Sequence, residues 1–234
     1  MSVLAAQVFH SFKEPSQGVS FYYENKLKKK GFDFIIGVDE AGRGPLAGPV
    51  VSAAVLLKKE KFNSRIDDSK KLTSLGREKA FLEIIKNSIF GISIVSEKTI
   101  DRVNILEATR LSMRQAVNSL IRKLHPSLKG IGRCIPVGLG APKVKGIHVI
   151  VDGNMVLDLT LPYTAIIKGD TKSKTIAAAS ILAKVTRDRL MLKYDKIYPE
   201  YGFAKHKGYP TKEHRDILKK IGPSRIHRKS FKGV

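Results

Sequence analysis

Three short apolar runs each end on a carboxylate, and no other feature of the chain limits its fold so sharply. Phe32–Val38 (FDFIIGV) leads into Asp39-Glu40, Ile147–Val151 (IHVIV) into Asp152, and Tyr163–Ile167 (YTAII) into Lys168-Gly169-Asp170. Runs of this length, rich in β-branched residues, read as buried strands. In open α/β sheets, ligand-binding groups gather where strands emerge at their carboxyl ends.

The intervening segments fit the same architecture. Pro49–Leu57 reads as a strand joined to the first by the Gly-rich turn Ala41–Gly48, which suggests antiparallel pairing. Phe90–Val95 alternates like a further strand. Ser74–Asn87 has apolar residues at helical spacing. Ile105–Leu124 reads as an amphipathic helix with Leu106, Met113, Val117, Leu120, Ile121 and Leu124 on one side. Thr175–Tyr194 is an Ala-rich helix stopped by Tyr198-Pro199, small enough along one side to sit close on a sheet. Hairpin strands followed by alternating strands and helices predict an α/β fold with a mixed sheet. The expected organisation is an N-terminal extension over 1–31 with a short helix, a main domain over 32–200, and a basic helical region over 201–234. That last region has one helix near Thr211–Ile221. Lys129–Lys145 reads as a surface excursion rich in Gly, Pro and basic residues.

Charge narrows the function. Lys+Arg 43 against Asp+Glu 21 gives a formal +22, a field that attracts polyanions. No apolar run approaches the roughly 20 residues that span a bilayer, and the first residues lack a signal-peptide pattern. The single cysteine, Cys134, leaves no partner for an intramolecular disulfide and fits a reducing compartment. A cytoplasmic nucleic-acid-binding protein is the expected class. Residues 201–234 hold ten basic and two acidic residues interleaved with Tyr201, Phe203, Tyr209 and Phe231, a composition suited to tracking phosphates. The last ten residues read as a solvated basic tail. Lys70, Lys71, Lys184 and Arg187 are candidate phosphate contacts, which position a duplex without reading its sequence.

Each strand-terminal acid taken alone reads more readily as a turn former or helix cap. Taken together in so basic a chain, Asp39, Glu40, Asp152 and Asp170 read as a cradle for a hard divalent cation, Mg²⁺ or Mn²⁺, because converging carboxylates repel one another without one. The six histidines show no zinc spacing. Gly42-Arg43-Gly44 beside the acids allows close backbone approach to a ligand, and Arg43 can fork onto phosphate. The alternative for that loop is a tight hairpin. Its spacing does not match the nucleotide triphosphate loops.

The string Asp39–Leu57 (DEAGRGPLAGPVVSAAVLL) closely resembles the signature of the ribonuclease HII family. The resemblance continues in order through Asp68–Leu72 (DSKKL), Val151-Asp152-Gly153, Lys168-Gly169-Asp170, Ile176–Asp188 (IAAASILAKVTRD) and Tyr201–Thr211 (YGFAKHKGYPT). It implies a ribonuclease-H-like fold, a mixed five-stranded sheet flanked by helices with a small C-terminal helical region. It also implies that Asp39, Glu40, Asp152 and Asp170 hold two Mg²⁺ or Mn²⁺ ions about a scissile phosphate. The implied substrate is the RNA strand of an RNA–DNA hybrid, or a ribonucleotide embedded in duplex DNA cut on its 5′ side, leaving 3′-hydroxyl and 5′-phosphate ends. Gly42, Arg43 and Gly44 would approach the ribose 2′-hydroxyl, the group that separates RNA from DNA. Tyr209 would stack on the deoxyribose after the ribonucleotide; its alternative is a half-buried packing residue. Ser69, Lys70, Lys184 and Arg187 complete the expected substrate contacts, and the enzyme is expected to act as a monomer.

Two other readings compete. Ribonuclease HIII has similar acids behind a longer N-terminal substrate-binding domain, for which too few residues precede Asp39. A noncatalytic basic RNA-binding protein fits the composition, but four carboxylates facing phosphate would work against it.

Overall fold

Strand β1 (Phe34–Ala41) pairs antiparallel with β2 (Val50–Leu57) on one side and parallel with β4 (Ile147–Asp152) on the other. β3 (Ser88–Val95) adds antiparallel to β2, and β5 (Tyr163–Ile166) adds parallel to β4. The result is a five-stranded mixed sheet in the order β3-β2-β1-β4-β5. The computed structural model describes residues 18–124 and 146–234. The expected excursion at Lys129–Lys145, with Cys134, and residues 1–17 of the N-terminal extension lie outside the described residues.

Strand alternation divides β1 between two cores. Ile36 and Val38 face α4 (Ile105–Leu124), where they pack with Met113, Val117, Leu120, Val149 and Val151. The other face meets α5 (Lys174–Ile197), whose Ala177, Ala178, Ala179 and Ala183 lie in one core with Ala53 and Val55. α2 (Ser74–Lys86) joins this second core through Ala80, Phe81 and Ile84. The small residues of α5 allow a close approach at Gly37. A Cβ there would lie 2.4 Å from the backbone carbonyl carbon of Thr175. On α4, Leu106 departs from the expected apolar stripe: it is exposed at the start of the helix, ahead of the buried Ala108, Met113 and Val117.

The ends of the chain are fastened to this body. α1 (Tyr22–Lys29) buries Tyr23 and Leu27 against Ile35, Ile150, Ile166 and Ile176. Its Glu24 is buried and accepts from the Ser173 hydroxyl at 2.7 Å and the Thr175 amide at 2.9 Å. After α3 (Glu97–Val103), α6 (Phe203–His206) and α7 (Lys212–Ile221), the C-terminal segment folds back. Leu46, Ala47 and Met191 share a core with Tyr201, Phe203, Leu218 and Ile226. The reading of the last ten residues as a solvated tail is therefore corrected. Ile226, His227 and Arg228 are buried, and Asp101 of α3 accepts from the amides of Lys229 and Ser230 at 3.0 and 2.9 Å.

Candidate active site

Because β1, β4 and β5 run parallel, their carboxyl ends lie at one edge of the sheet. Val38 is registered with Val151, so the next residues, Asp39 and Asp152, emerge side by side on the same face. β5 leads through Lys168, which takes a left-handed backbone (φ 56°), into a 3₁₀ turn over Gly169–Thr171 that turns Asp170 inward. One carboxylate oxygen from each of Asp39, Asp152 and Asp170 lies within 4.8 Å of the others. Backbone amides hold the cluster in place. Asp152 Oδ1 accepts from the Gly169 amide at 2.6 Å, and Asp39 Oδ1 accepts from the Glu40 amide at 2.7 Å.

Burial and mutual repulsion act together on these acids. Burial, followed by the charges of Glu40 and Asp152, pushes the Asp39 carboxyl well above the usual carboxylate range. Burial and then Asp170 raise Asp152. Glu40 is raised chiefly by burial, with Arg43 opposing and Asp152 adding to the rise. Glu40 stands outside the trio that shares the 4.8 Å spacing. Its Oε1 has Arg43 at 3.5 Å, while its Oε2 is buried with no hydrogen-bond partner among the described residues. Among the described residues Asp170 has one cation near, the exposed Lys70 ammonium at 3.6 Å. Partial burial works against the charged form of Lys70, but Asp170, Asp68, Asp39 and Asp152 together raise its pKa. An oxygen-only set with an orphaned buried oxygen and elevated carboxyls fits a hard divalent cation.

The remaining expected contacts separate into two groups. Arg43 and Gly44 are exposed beside the acids, and Gly42 is buried with φ 101°. Gly44 faces the half-exposed Tyr209 ring: a Cβ on it would lie 3.9 Å from Cε1. Lys184 sits 5.6 Å from the centre of that ring and is paired with Asp188 at 2.7 Å. Two expected contacts are corrected. Arg187 is fully buried and donates to the carbonyls of Pro49, Lys207 and Ala47, each at 3.0 Å, so no guanidinium nitrogen is left to meet a phosphate. Ser69 is buried too; it shares a 3.0 Å hydrogen bond with Ser180, whose hydroxyl favours the charged form of Asp39. Both residues stand behind the site.

The sequence reading missed two residues. Ser180 is a lone hydroxyl on the Ala-rich face of α5, and a polar residue on a face that small was a readable signal of a buried partner. Arg228 gave no signal among so many basic neighbours. It is fully buried and donates to the carbonyls of Gly48 at 2.9 Å, Arg43 at 2.9 Å and Gly42 at 2.6 Å. Arg187 and Arg228 thus fix the loop over Gly42–Pro49 from beneath with five donated bonds, and Arg187 donates a sixth to the Lys207 carbonyl.

Known proteins share this fold. The crystal structure of ribonuclease H2 from Pyrococcus horikoshii superposes with a TM-score of 0.64 at 28% identity, covering 86% of this chain and 94% of that one. The Mn²⁺ complex of Bst-RNase HIII superposes with a TM-score of 0.61, at 15% identity and over 67% of that longer chain, a likeness of fold alone. The sheet and its carboxylate edge define a ribonuclease H enzyme, an α/β endonuclease. The sequence description of the family named Ribonuclease HII matches residues 36–234. Ribonuclease HII of Caldicellulosiruptor saccharolyticus is 49% identical over 212 residues, 90% of this chain and 93% of that protein. The chain belongs to the ribonuclease HII family.

Proposed function

We propose that this endonuclease hydrolyses the RNA strand of RNA–DNA hybrids and nicks duplex DNA on the 5′ side of an embedded ribonucleotide. Asp39, Glu40, Asp152 and Asp170 would hold two divalent cations, Mg²⁺ or Mn²⁺. The observation that carries this reading is the convergence of the Asp39, Asp152 and Asp170 oxygens within 4.8 Å in a chain of net charge +22. Bound ions supply an activated water and charge for the departing oxygen. The protein supplies position. Backbone amides orient the carboxylates, and α5 and α4 back the strands from either side. The Gly42-Arg43-Gly44 loop, exposed at Arg43 and Gly44, meets the ribose 2′-hydroxyl, while Tyr209, across from Gly44, stacks on the following deoxyribose. Lys70 and Lys184 lie where backbone phosphates would pass, and such contacts confer little sequence preference. Hydrolysis leaves 3′-hydroxyl and 5′-phosphate ends. We place the enzyme in the cytoplasm as a monomer serving DNA replication and repair; among the described residues no helix is long and apolar enough to cross a membrane.

The test is a DNA duplex carrying one ribonucleotide, incubated with and without Mg²⁺, with the cut mapped at nucleotide resolution. The expected product is a single Mg²⁺-dependent nick 5′ of the ribonucleotide. Asp39→Asn and Asp170→Asn abolish the nick while hybrid binding survives. Full cleavage by both variants would reject the site.

A further inference from the structure

Three histidines form a buried cluster that the proposed chemistry does not use. His206, His214 and His227 come from α6, α7 and the C-terminal segment, and none is more than 7% exposed. The rings of His206 and His214 stack at 4.2 Å, and His214 Nε2 lies 3.0 Å from His227 Nε2. Phe203 packs against all three.

The backbone partners determine where each proton sits. An amide N–H can only donate and a carbonyl oxygen can only accept. The Ser224 amide, at 2.9 Å, donates to His227 Nδ1, so the proton of that ring is on Nε2 and points at His214. His214 Nδ1 lies 2.9 Å from the Tyr209 carbonyl, so it carries its ring's proton and leaves Nε2 free to accept from His227. The Gly208 amide donates to His206 Nδ1 at 3.1 Å, and His206 Nε2 donates to the Tyr201 carbonyl at 2.9 Å. With one proton per ring, every one of these contacts is satisfied, and a single direction of donation runs from Ser224 through His227 and His214 to Tyr209. Burial, and after it the neighbouring His214, lowers His227 to about 4, and burial likewise lowers His214, in keeping with neutral rings.

The relay ends on the backbone of the residue expected to stack on substrate. Among the described residues, the other backbone bonds of Tyr209 are short-range ones of its own turn: its amide donates to the His206 carbonyl at 2.9 Å, and its carbonyl accepts from the Thr211 amide at 2.8 Å. Its ring is half-exposed over Lys184 and Arg187. The Gly208 amide, one residue earlier, is held by His206.

We infer that His214, oriented by His227, is a positioning residue that sets the Tyr209 ring opposite Gly44 and thereby sharpens recognition of the ribonucleotide–deoxyribonucleotide junction. This rests on the reading of Tyr209 as the junction contact. The geometry makes the Nδ1 donor of His214 the decisive atom, because it alone joins the buried relay to the Tyr209 carbonyl.

The experiment compares turnover on a duplex with one embedded ribonucleotide with turnover on a long RNA–DNA hybrid, each variant assayed below its own melting temperature. His214→Leu removes the donor, and the junction-to-hybrid ratio falls on the order of tenfold, the effect of one lost buried hydrogen bond. His214→Asn keeps an amide donor near the Nδ1 position; it loses similar thermal stability yet restores the ratio. Equal ratios for the leucine and asparagine variants, or a wild-type ratio for His214→Leu, would overturn the inference. Tyr209→Ala, run in parallel, separates the two levels. If it shifts the ratio and His214→Leu does not, the histidine link alone is wrong. If Tyr209→Ala leaves the ratio unchanged, the junction reading fails and the histidine role fails with it.

Discussion

Asp39 shows how one residue connects burial to function. It is 4% exposed, it lies beside Glu40, Asp152 and Asp170, and nothing cationic among the described residues pairs with it directly. Its raised pKa means that the folded state binds its proton more readily than the unfolded chain does. The associated stability is present below the ordinary value of 3.8 and is lost as pH rises through the elevated one. At neutral pH without a cation, the ionised cluster therefore strains the fold. Asp39→Asn keeps the oxygen that accepts from the Glu40 amide and removes the charge. It is expected to melt a few degrees higher than the parent in EDTA at pH 7, with the difference vanishing below about pH 4. Mg²⁺ should raise the melting temperature of the parent and leave Asp39→Asn little changed. Differential scanning fluorimetry decides; a variant less stable than the parent in EDTA would contradict the account.

At the scale of elements, the C-terminal segment is a clamp on the loop that follows β1. The Leu46 carbonyl accepts from the Arg228 amide, and the Gly48 amide donates to the Ile226 carbonyl, each at 2.8 Å. The Arg228 side chain then holds Gly42, Arg43 and Gly48. Burial, and next the charge of Arg187, lowers its pKa, which marks an expensive arrangement retained without any carboxylate in direct contact among the described residues. Carbonyls drawn beneath the loop leave Arg43 and Gly44 exposed on its outer side. Arg228→Leu would orphan three carbonyls and is expected to destabilise the protein by about 3 kcal/mol or more, measured by urea unfolding. A loss below about 1 kcal/mol would show that the segment is a passive tail.

For the whole molecule, charge and site have opposite signs. An excess of basic residues surrounds a small anionic centre, so long-range attraction brings a polyanion in and local repulsion is relieved only by a cation at the acids. Binding of a hybrid to the Asp39→Asn variant, measured by fluorescence anisotropy, is expected to weaken on the order of a thousandfold between about 50 and about 200 mM salt. A flat response would remove the role given to the basic surface.

Much of this was legible in the residues themselves. Alternating or continuous apolar runs mark all five strands, because burial of a strand face leaves a local pattern of period two or an unbroken apolar run. The chemistry at the strand ends was legible too, since Asp39, Asp152 and Asp170 each follow an apolar run directly or after a short turn. What tertiary structure decided was which charged side chains face outward. Lys70 and Arg187 are both basic residues in polar stretches, yet one is exposed and the other is sealed under a loop by carbonyls far away in sequence. The same holds for Arg228 and the histidine relay, where the partners are separated by long stretches of chain or fixed by the direction of a ring proton. Local sequence encodes periodicity and end signals; it does not encode the unpaired carbonyls that a returning segment will find, and those determine whether a cation binds substrate or builds the site.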